Sequence, residues 1–362
     1  MNIAKIKKYI KSNFWSRILI YFPYLAARRT GKLFLLLAIT ALIFIPFLIY
    51  GFLVRVYHFV ISLKPIANNK INQNISSLEL ASCNLCTSKE FRSYLEKDNW
   101  KLVKCRECGL IFLNPRPTWE TIKRMYGPNQ YNYLVGEKKY INAEKEMVEK
   151  YLVTVKTIEK FKRKGKILEV GSATGYFLKA AKMRGWKVYG IEICKDGVEY
   201  AKREFKIGTS LGTLEEVNFS SNFFDVIVMY HTLEHLTDPL TVLKEVKRIL
   251  KDDGLVNISV PNVSCWERIL QGKKWGTFEL PSHLYCFSPR TLQKLVQKAG
   301  FKIIKGEGGG EINVFLKKSD SSSPLIPFWV KCTIEGYIPL FQINNWLKIF
   351  KIIVNNIKPN LK

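Results

Sequence analysis

The spacing of hydrophobic positions changes along the chain, and the change divides the sequence. Leu33 to Val54 is a run of 22 residues without a charge. As a helix this run would be about 33 Å long, enough to cross a bilayer core of roughly 30 Å. From position 165 onward, short apolar runs alternate with stretches of helical period. That alternation is typical of strands and helices that build a largely parallel sheet.

One strand–helix–strand unit stands out between Lys166 and Glu192. The apolar run Ile167–Val170 predicts its first strand and Lys187–Ile191 its second. Between them, a loop of small residues precedes the helix: Gly171, Ser172, Ala173 and Gly175. Because glycine has no Cβ, such a loop turns sharply and lets a ligand approach the backbone and the helix N-terminus. A carboxylate at the end of the second strand, here Glu192, can accept both hydroxyls of a ribose.

The remaining pattern completes an α/β fold. Strands are predicted at Phe223–Tyr230 and Gly254–Val260, followed by an antiparallel pair at Phe301–Ile304 and Ile312–Leu316. Helices are predicted between them, at Asp196–Phe205, Thr241–Leu250 and Leu292–Ala299. We therefore expect a doubly wound, mostly parallel, Rossmann-like sheet of seven strands, of which these patterns locate six, preceded at 118–164 by one or two helices.

The charge distribution indicates an anionic binding partner. The formal net charge is +27, and eleven Lys or Arg residues but no Asp or Glu precede Glu79. Such a one-sided basic segment favours nucleic acid or an anionic lipid surface. The apolar run decides for the membrane, so a nucleic-acid partner is not favoured. The basic, aromatic stretch Ile3–Ala27 is typical of a helix lying on the bilayer, whereas Leu33–Val54 either spans it or bends at Pro46 and returns.

Four of the eight cysteines have the spacing of metal ligands. Cys83 and Cys86, then Cys105 and Cys108, give two C-x2-C pairs separated by 18 residues. Two such turns bring four thiolates into a closed tetrahedral site, which is typical of structural Zn²⁺. Disulfides are the alternative, but a reducing compartment disfavours them. The Asn-rich stretch Pro65–Ser77 before these cysteines is typical of a linker.

The small-residue loop resembles motif I of the class I S-adenosylmethionine-dependent methyltransferases. The family pattern, acidic-x-Gly-x-Gly-x-Gly, is matched here by Glu169, Gly171, Ala173 and Gly175. The resemblance implies that Glu169 helps to hold the methionine part of the cofactor and that Glu192 holds its ribose. A dinucleotide such as NAD is the alternative, but its G-x-G-x-x-G pattern is poorly matched, because Ala173 and the bulky Tyr176 stand at glycine positions.

The segment after the third core strand carries two of the four histidines. In HTLEHLTDP, His231, Glu234 and His235 match the H-x-x-E-H pattern of inverted zinc peptidases. That pattern requires a long helix, whereas here a strand ends at Tyr230 and Pro239 begins a new helix. The phrase instead resembles the corresponding segment of small-molecule methyltransferases such as those of ubiquinone biosynthesis, which implies that Tyr230 contacts the cofactor through its backbone. His235 and His231 are candidate bases for a substrate hydroxyl, or they only cap a helix and order a loop.

The stretch Pro261–Phe287 is expected to recognise the substrate. Its aromatic side chains either stack on a sugar or lipid ring or pack as a lid: Trp266, Trp275, Phe278 and Tyr285. The phrase HLYCFSPRTL also resembles the family, and its His283 is a further candidate base. Leu214 and Glu215 stand where related enzymes place residues near the adenine.

The stretch CRECGLIFLNPRP, which begins at Cys105, resembles the zinc ribbon that precedes the methyltransferase domain in a group of bacterial and archaeal enzymes. That group includes sugar C-methyltransferases and enzymes of cell-surface polysaccharide pathways. The resemblance implies O- or C-methylation of a saccharide, lipid-linked intermediate or related small molecule at the membrane, in cell-envelope glycan biosynthesis. Because S-adenosylmethionine is made in the cytosol, the catalytic domain is expected on the cytoplasmic side. A catalytically silent membrane scaffold and an NAD-dependent oxidoreductase are the alternatives.

The sequence therefore predicts six segments in order. These are a basic, membrane-inserted segment (1–64), a linker (65–78), a zinc ribbon (79–117), a helical lead-in (118–164), a methyltransferase domain (165–318), and a linker with an amphipathic tail (319–362). The tail either lies on the membrane or packs on the N-terminal segment.

Overall fold

The computed structural model describes residues 77–127 and 144–319 of the chain. The predicted membrane run, the basic segment before it and the C-terminal tail lie outside these residues. Within the two described ranges, no helix combines the length and the apolar character that a membrane crossing requires.

Residues 78–117 form a small all-β unit, which we call the cysteine module. Its strands are β1 (Leu78–Glu79), β2 (Phe91–Lys97), β3 (Trp100–Cys105), β4 (Ile111–Leu113) and β5 (Arg116–Pro117). Strand β3 pairs antiparallel with β2 on one side and β4 on the other, and β1 pairs with β5. Because Leu78 belongs to β1, the predicted linker stops one residue earlier than its expected end at position 78.

Two helices of the predicted lead-in lie within its described residues, 118–127 and 144–164. They are α1 (Trp119–Met125) and α2 (Glu144–Ile158). The hydroxyl of Thr118 caps α1 by accepting a hydrogen bond from the amide of Thr121 at 3.4 Å. An N-terminal cap of this kind satisfies an amide that has no partner inside the helix.

The expected seven-stranded, mostly parallel sheet is confirmed. Its strands are β6 (Lys166–Val170), β7 (Lys187–Glu192), β8 (Thr209–Leu211), β9 (Phe224–Tyr230), β10 (Leu250–Pro261), β12 (Phe301–Gly308) and β13 (Glu311–Lys318). The spatial order is β12-β13-β10-β9-β6-β7-β8, with β12 and β13 antiparallel to their neighbours. The chain moves outward from β6 through β7 to β8 and then returns to β9 on the other side of β6. Ligands of such sheets bind at this point of reversal, beyond the carboxyl ends of the strands.

Helices cover both faces of the sheet. They are α3 (Tyr176–Met183), α4 (Lys195–Phe205), α5 (Leu214–Val217), α6 (Pro239–Ile249), α7 (Trp266–Gln271) and α8 (Pro289–Lys298). Alternate residues of one strand enter different cores: Ile167 packs with α2 and α3, whereas Leu168 packs with α6, α8 and the cysteine module. The parallel strands are therefore apolar on both faces, as the uninterrupted runs in the sequence indicate.

The stretch that is expected to recognise the substrate, Pro261–Phe287, contains regular structure. It includes α7, a 3₁₀ turn at Gly272–Lys274 and the short strand β11 (Tyr285–Cys286). Strand β11 pairs antiparallel with β4, so that Tyr285 faces Phe112. The cysteine module and residues Pro261–Phe287, which we call the substrate stretch, therefore share one sheet.

Candidate functional site

The loop between β6 and α3 has an unusual backbone. Gly171 and Gly175 have φ values of +75° and +82°, and Ala173 has +47°. A Cβ on Gly171 would lie 2.5 Å from the side-chain oxygen of Thr232, which follows β9. Only glycine fits at 171, because both the left-handed conformation and the close approach exclude a side chain. Gly175 is the N-cap of α3.

Glu192 ends β7 and holds this loop in place. Its Oε2 accepts a hydrogen bond from the amide of Ala173 at 2.7 Å, and its Oε1 accepts one from the amide of Cys194 at 2.8 Å. Burial raises the pKa of the Glu192 carboxyl, although the two amide donors offset part of this effect. The carboxylate therefore contacts the loop, and its predicted contact with a ribose stays a prediction.

Glu169 lies in β6 with 4% of its surface exposed. Its Oε2 has no hydrogen-bond partner among the described residues, and neither has the hydroxyl of Ser172. Burial, and then the charge of Glu192, raise the pKa of Glu169 well above its ordinary value. Buried polar atoms without partners are costly, so a donor or a positive charge from a ligand fits this position. The ammonium and sulfonium groups of S-adenosylmethionine have that chemistry.

A cavity of about 770 Å³ opens beside these residues, at the carboxyl ends of β6, β7 and β9. Its walls include most of the predicted cofactor contacts: Glu169, Gly171, Ala173, Glu192, Leu214, Glu215 and Tyr230. Gly175 is not among the wall residues. The walls also include side chains that the sequence did not single out: Trp119, Met147, Lys150 and Tyr151. These side chains belong to α1 and α2. The helical period indicates the helices, but it does not indicate which of their side chains reach the sheet edge.

Leu214 and Glu215 occupy the first turn of α5. The hydroxyl of Thr213 accepts from the amide of Glu216 at 3.3 Å, and the Glu216 carboxylate accepts from the amide of Thr213 at 2.8 Å. This capping box fixes the helix start against the cavity. The hydroxyl of Tyr230 donates to Asn257.

His231 directly follows β9, lies in the cavity wall and has a φ of +50°. Its Nδ1 is 3.5 Å from the Glu234 carboxylate, and its Nε2 is 3.4 Å from the Glu311 carboxylate. Burial opposes protonation of this imidazole, but the two carboxylates outweigh it and raise the pKa of His231 to about 10. The raised pKa favours the protonated imidazole at neutral pH, and general-base catalysis by His231 would require the neutral form.

His235 and His283 contact each other, with ring centroids 4.6 Å apart and planes at 79°. His235 lies in the cavity wall, whereas His283 is behind it with 5% of its surface exposed. Burial, and then the neighbouring His283, lower the pKa of His235 to about 4. Burial also lowers the pKa of His283 to about 4. Both imidazoles are therefore neutral at pH 7.

The aromatic side chains of the substrate stretch form part of the core. Trp266, Trp275, Phe278 and Tyr285 each expose 5% or less of their surface. Trp275 and Phe278 pack edge to face at 5.0 Å. Of the two predicted roles, packing is the one that the structure supports, because buried rings offer no face to a ligand.

The four cysteines of the cysteine module converge. The sulfurs of Cys83 and Cys108 are 3.4 Å apart, and those of Cys86 and Cys105 are 3.5 Å apart. All four sulfurs lie within 4.8 Å of one another. A tetrahedral zinc ion with Zn–S bonds of about 2.3 Å places its sulfurs roughly 3.8 Å apart, so this arrangement fits one ion.

Comparison with known proteins gives a family for part of the chain. Residues 143–305 match the family model described as a methyltransferase domain. The ubiquinone biosynthesis O-methyltransferase of Haemophilus ducreyi is 31% identical over 107 residues, which is 27% of this chain and 45% of that protein. An uncharacterized protein of Methanocaldococcus jannaschii is 28% identical over 152 residues, 41% of this chain and 71% of that protein. The chain thus spans about half the length of the first of these relatives.

Among solved structures, a Thermotoga maritima protein described as an S-adenosylmethionine-dependent methyltransferase, possibly a histamine N-methyltransferase, is 20% identical. The match covers 56% of this chain and 100% of that one, with a TM-score of 0.43. An S-adenosylmethionine-dependent methyltransferase of Archaeoglobus fulgidus is 18% identical over 51% of this chain and 99% of that one, also with a TM-score of 0.43.

Proposed function

We propose that residues 143–305, which match the methyltransferase-domain family model, form a class I S-adenosylmethionine-dependent methyltransferase domain, and that the protein transfers a methyl group from S-adenosylmethionine to an oxygen or carbon atom of a small molecule. One observation carries the proposal. The carboxylate of Glu169 is buried with an unpartnered oxygen beside a cavity at the carboxyl ends of β6, β7 and β9.

The residues around the cavity have defined tasks in this proposal. Bound S-adenosylmethionine supplies an electrophilic methyl group on a positively charged sulfur. Glu169 faces the positive charge of the methionine part, Glu192 accepts from the ribose hydroxyls, and Leu214 with Glu215 flanks the adenine. The chain's main contribution is to align the methyl group with the acceptor and to exclude water. The base roles of His235, His231 and His283 stay predictions.

We propose that the acceptor is a saccharide, a lipid-linked intermediate or a related small molecule at the cytoplasmic face of a membrane. The support comes from the sequence: a basic segment and a 22-residue uncharged run precede the cysteine module. Anchoring would concentrate the enzyme beside an amphiphilic acceptor. The relative from Haemophilus ducreyi is named as an O-methyltransferase, which supports oxygen as the methylated atom.

We also propose that the four cysteines hold one structural Zn²⁺. A closed site of four thiolates leaves no open position for a substrate. The ion would stabilise a unit of about forty residues, whose own core is small for its length.

Calorimetric titration of the full-length protein with S-adenosylmethionine tests the proposed function. We expect saturable binding that Glu192→Gln weakens at least about tenfold, because its charge and its geometry at the ribose change together. Glu199→Gln is the matched control, since Glu199 lies on α4 outside the cavity, 3.6 Å from Lys195 in an exposed ion pair. Saturable binding of NAD without binding of S-adenosylmethionine would contradict the proposal.

A further inference from the structure

We propose that Glu234, His235 and His283 form a metal site separate from the four cysteines, which binds one divalent first-row transition-metal ion beside the cavity. A ligand atom from each residue lies within 4.8 Å of the other two. Two imidazoles and one carboxylate are a common ligand set for Zn²⁺, Mn²⁺ and Fe²⁺.

The three side chains come from two segments that the backbone joins. Glu234 and His235 lie in a 3₁₀ turn, Leu233–His235, directly after β9, and His283 precedes β11. The amide of Leu284 donates to the carbonyl of Glu234 at 2.9 Å. This bond fixes the distance between the segments, so the ligand set is preorganised by main chain rather than by mobile side chains.

The Glu234 carboxylate has no adequate partner. It is 1% exposed, and neither of its oxygens accepts a hydrogen bond from a described residue. The nearest cation, His231, is 3.5 Å away and is shared with Glu311. A third carboxylate, that of Glu279, lies 3.7 Å from Nε2 of His283. The side chains of Glu311 and Glu279 are 52% and 64% exposed, so water stabilises their charge. The Glu234 carboxylate is buried without a hydrogen-bond donor in the described part of the chain, and a bound cation would supply the missing partner.

Both imidazoles are oriented as metal ligands usually are. Nδ1 of His235 is 2.9 Å from the carbonyl of Ser282, and Nδ1 of His283 is 2.8 Å from the carbonyl of Thr277. A carbonyl only accepts hydrogen bonds, so each Nδ1 carries the proton and each Nε2 keeps a lone pair. The hydroxyl oxygen of Tyr126, 3.2 Å from Nδ1 of His235, then accepts from the same N–H. A backbone partner on the second nitrogen is the usual way to fix the tautomer of a metal-binding histidine.

The location suggests a use for the ion. His235, Ser282 and Glu279 are wall residues of the cavity, so the site borders the cavity on the side of His235. A metal ion there would act as a Lewis acid that holds an acceptor oxygen. This use rests on the proposed function, whereas the binding of the ion does not.

Titration of the full-length protein with Mn²⁺, followed by electron paramagnetic resonance of the free ion, tests the site. Mn²⁺ prefers oxygen and nitrogen ligands to thiolates, so the four cysteines do not interfere. We expect the wild-type protein to bind a single Mn²⁺. The variants Glu234→Gln and His283→Gln should each weaken this binding at least about tenfold. Glu311→Gln is the control, because Glu311 belongs to the same acidic group but not to the ligand set, and we expect a change of less than about threefold.

Far-ultraviolet circular dichroism reports whether each variant is folded. If Glu234→Gln is unfolded, His283→Gln provides the test. Absence of Mn²⁺ binding to wild-type protein would overturn the site, as would unchanged binding in Glu234→Gln and His283→Gln. In that case Glu234 is a lone buried acid. Failure of the proposed function gives a different result, namely Mn²⁺ binding without binding of S-adenosylmethionine.

Discussion

Asn84, which lies between the first two cysteines, caps the helix that follows the histidine segment. Its Oδ1 accepts from the amide of Leu240 at 3.1 Å, and its Nδ2 donates to the Asp238 carboxylate at 2.7 Å. Leu240 is in the first turn of α6, where amides lack partners within the helix. The cysteine module thus completes a helix of the methyltransferase domain.

Replacement of Asn84 tests this contact. We expect Asn84→Ala to lower the free energy of unfolding by about 1 kcal/mol, the usual effect of losing a helix cap, without loss of bound metal. Denaturant unfolding and metal analysis measure the two effects. Arg106→Ala is the matched control, because Arg106 occupies the equivalent place after Cys105 with an exposed side chain. Equal stability of the two variants would show that the cap does not contribute.

Metal removal is expected to affect more than the cysteine module. Atomic absorption should find zinc in the purified protein, and Cys105→Ser should abolish it. Because β4 carries the pairing partner of β11, chelation should also expose the backbone near His283. Hydrogen exchange measures this: the amide of Leu113, which donates to the carbonyl of Leu284 at 2.9 Å, should lose protection. Retained protection in the metal-free protein would mean that the sheet forms without the ion.

Alanine variants of two glycines with positive φ distinguish the stability cost of backbone strain from that of a steric clash. Gly171→Ala should destabilise by about 3 kcal/mol and prevent cofactor binding, because its Cβ would displace Thr232, whose hydroxyl donates to the carbonyl of Val170 at 3.0 Å. Gly185→Ala should cost only about 1 kcal/mol, since no atom lies closer than 4.0 Å to its Cβ. Thermal unfolding compares the two variants. Similar losses of stability in the two variants would mean that the loop shifts to accommodate the Cβ at 171 at little cost.

Asp225 should give the fold a pH dependence. Its carboxylate accepts from the amide of Lys166 at 2.8 Å and pairs with Lys251 at 2.8 Å. Burial alone would raise the pKa of Asp225, but these partners outweigh it and lower the pKa. The stabilisation is therefore complete above the unfolded pKa of about 3.9 and is lost as the pH falls through the lower folded pKa.

Asp225→Asn should accordingly lower the free energy of unfolding by about 1–2 kcal/mol at pH 7 and have little effect near pH 2. Urea unfolding across this range measures the difference. Asp252→Asn is the control, because Asp252 pairs with Lys318 but is 89% exposed and should contribute little at any pH. A difference for Asp225→Asn that did not change with pH would contradict the assignment.

The sequence predicted the features whose causes are local. The apolar runs around Ile167 and Val226 indicate strands buried on both faces, and the small residues after Val170 indicate the ligand loop. A carboxylate at the end of a strand, such as Glu192, follows from position alone. These features depend on residues that are neighbours in the chain, so hydrophobic periodicity and residue spacing are enough to predict them.

The sequence did not predict the features that depend on distant pairing. Strand β11 is only two residues long, and it exists because Tyr285 faces Phe112 across the sheet. For the same reason the contact between His235 and His283 was not foreseen, although each histidine was singled out. Tyr285 is buried against Phe112 of the cysteine module, a contact that the composition of the stretch, which equally suggested a stacking surface, does not indicate.

The shared sheet of β4 and β11 constrains how this protein can be recombined. A chimera that replaces residues 78–117 with the cysteine unit of a relative must also replace the loop from Glu279 to Phe287, since hydrogen-bonding register crosses the junction. Evolution faces the same restriction, so the two segments should be inherited together even though more than a hundred and fifty residues of chain separate them.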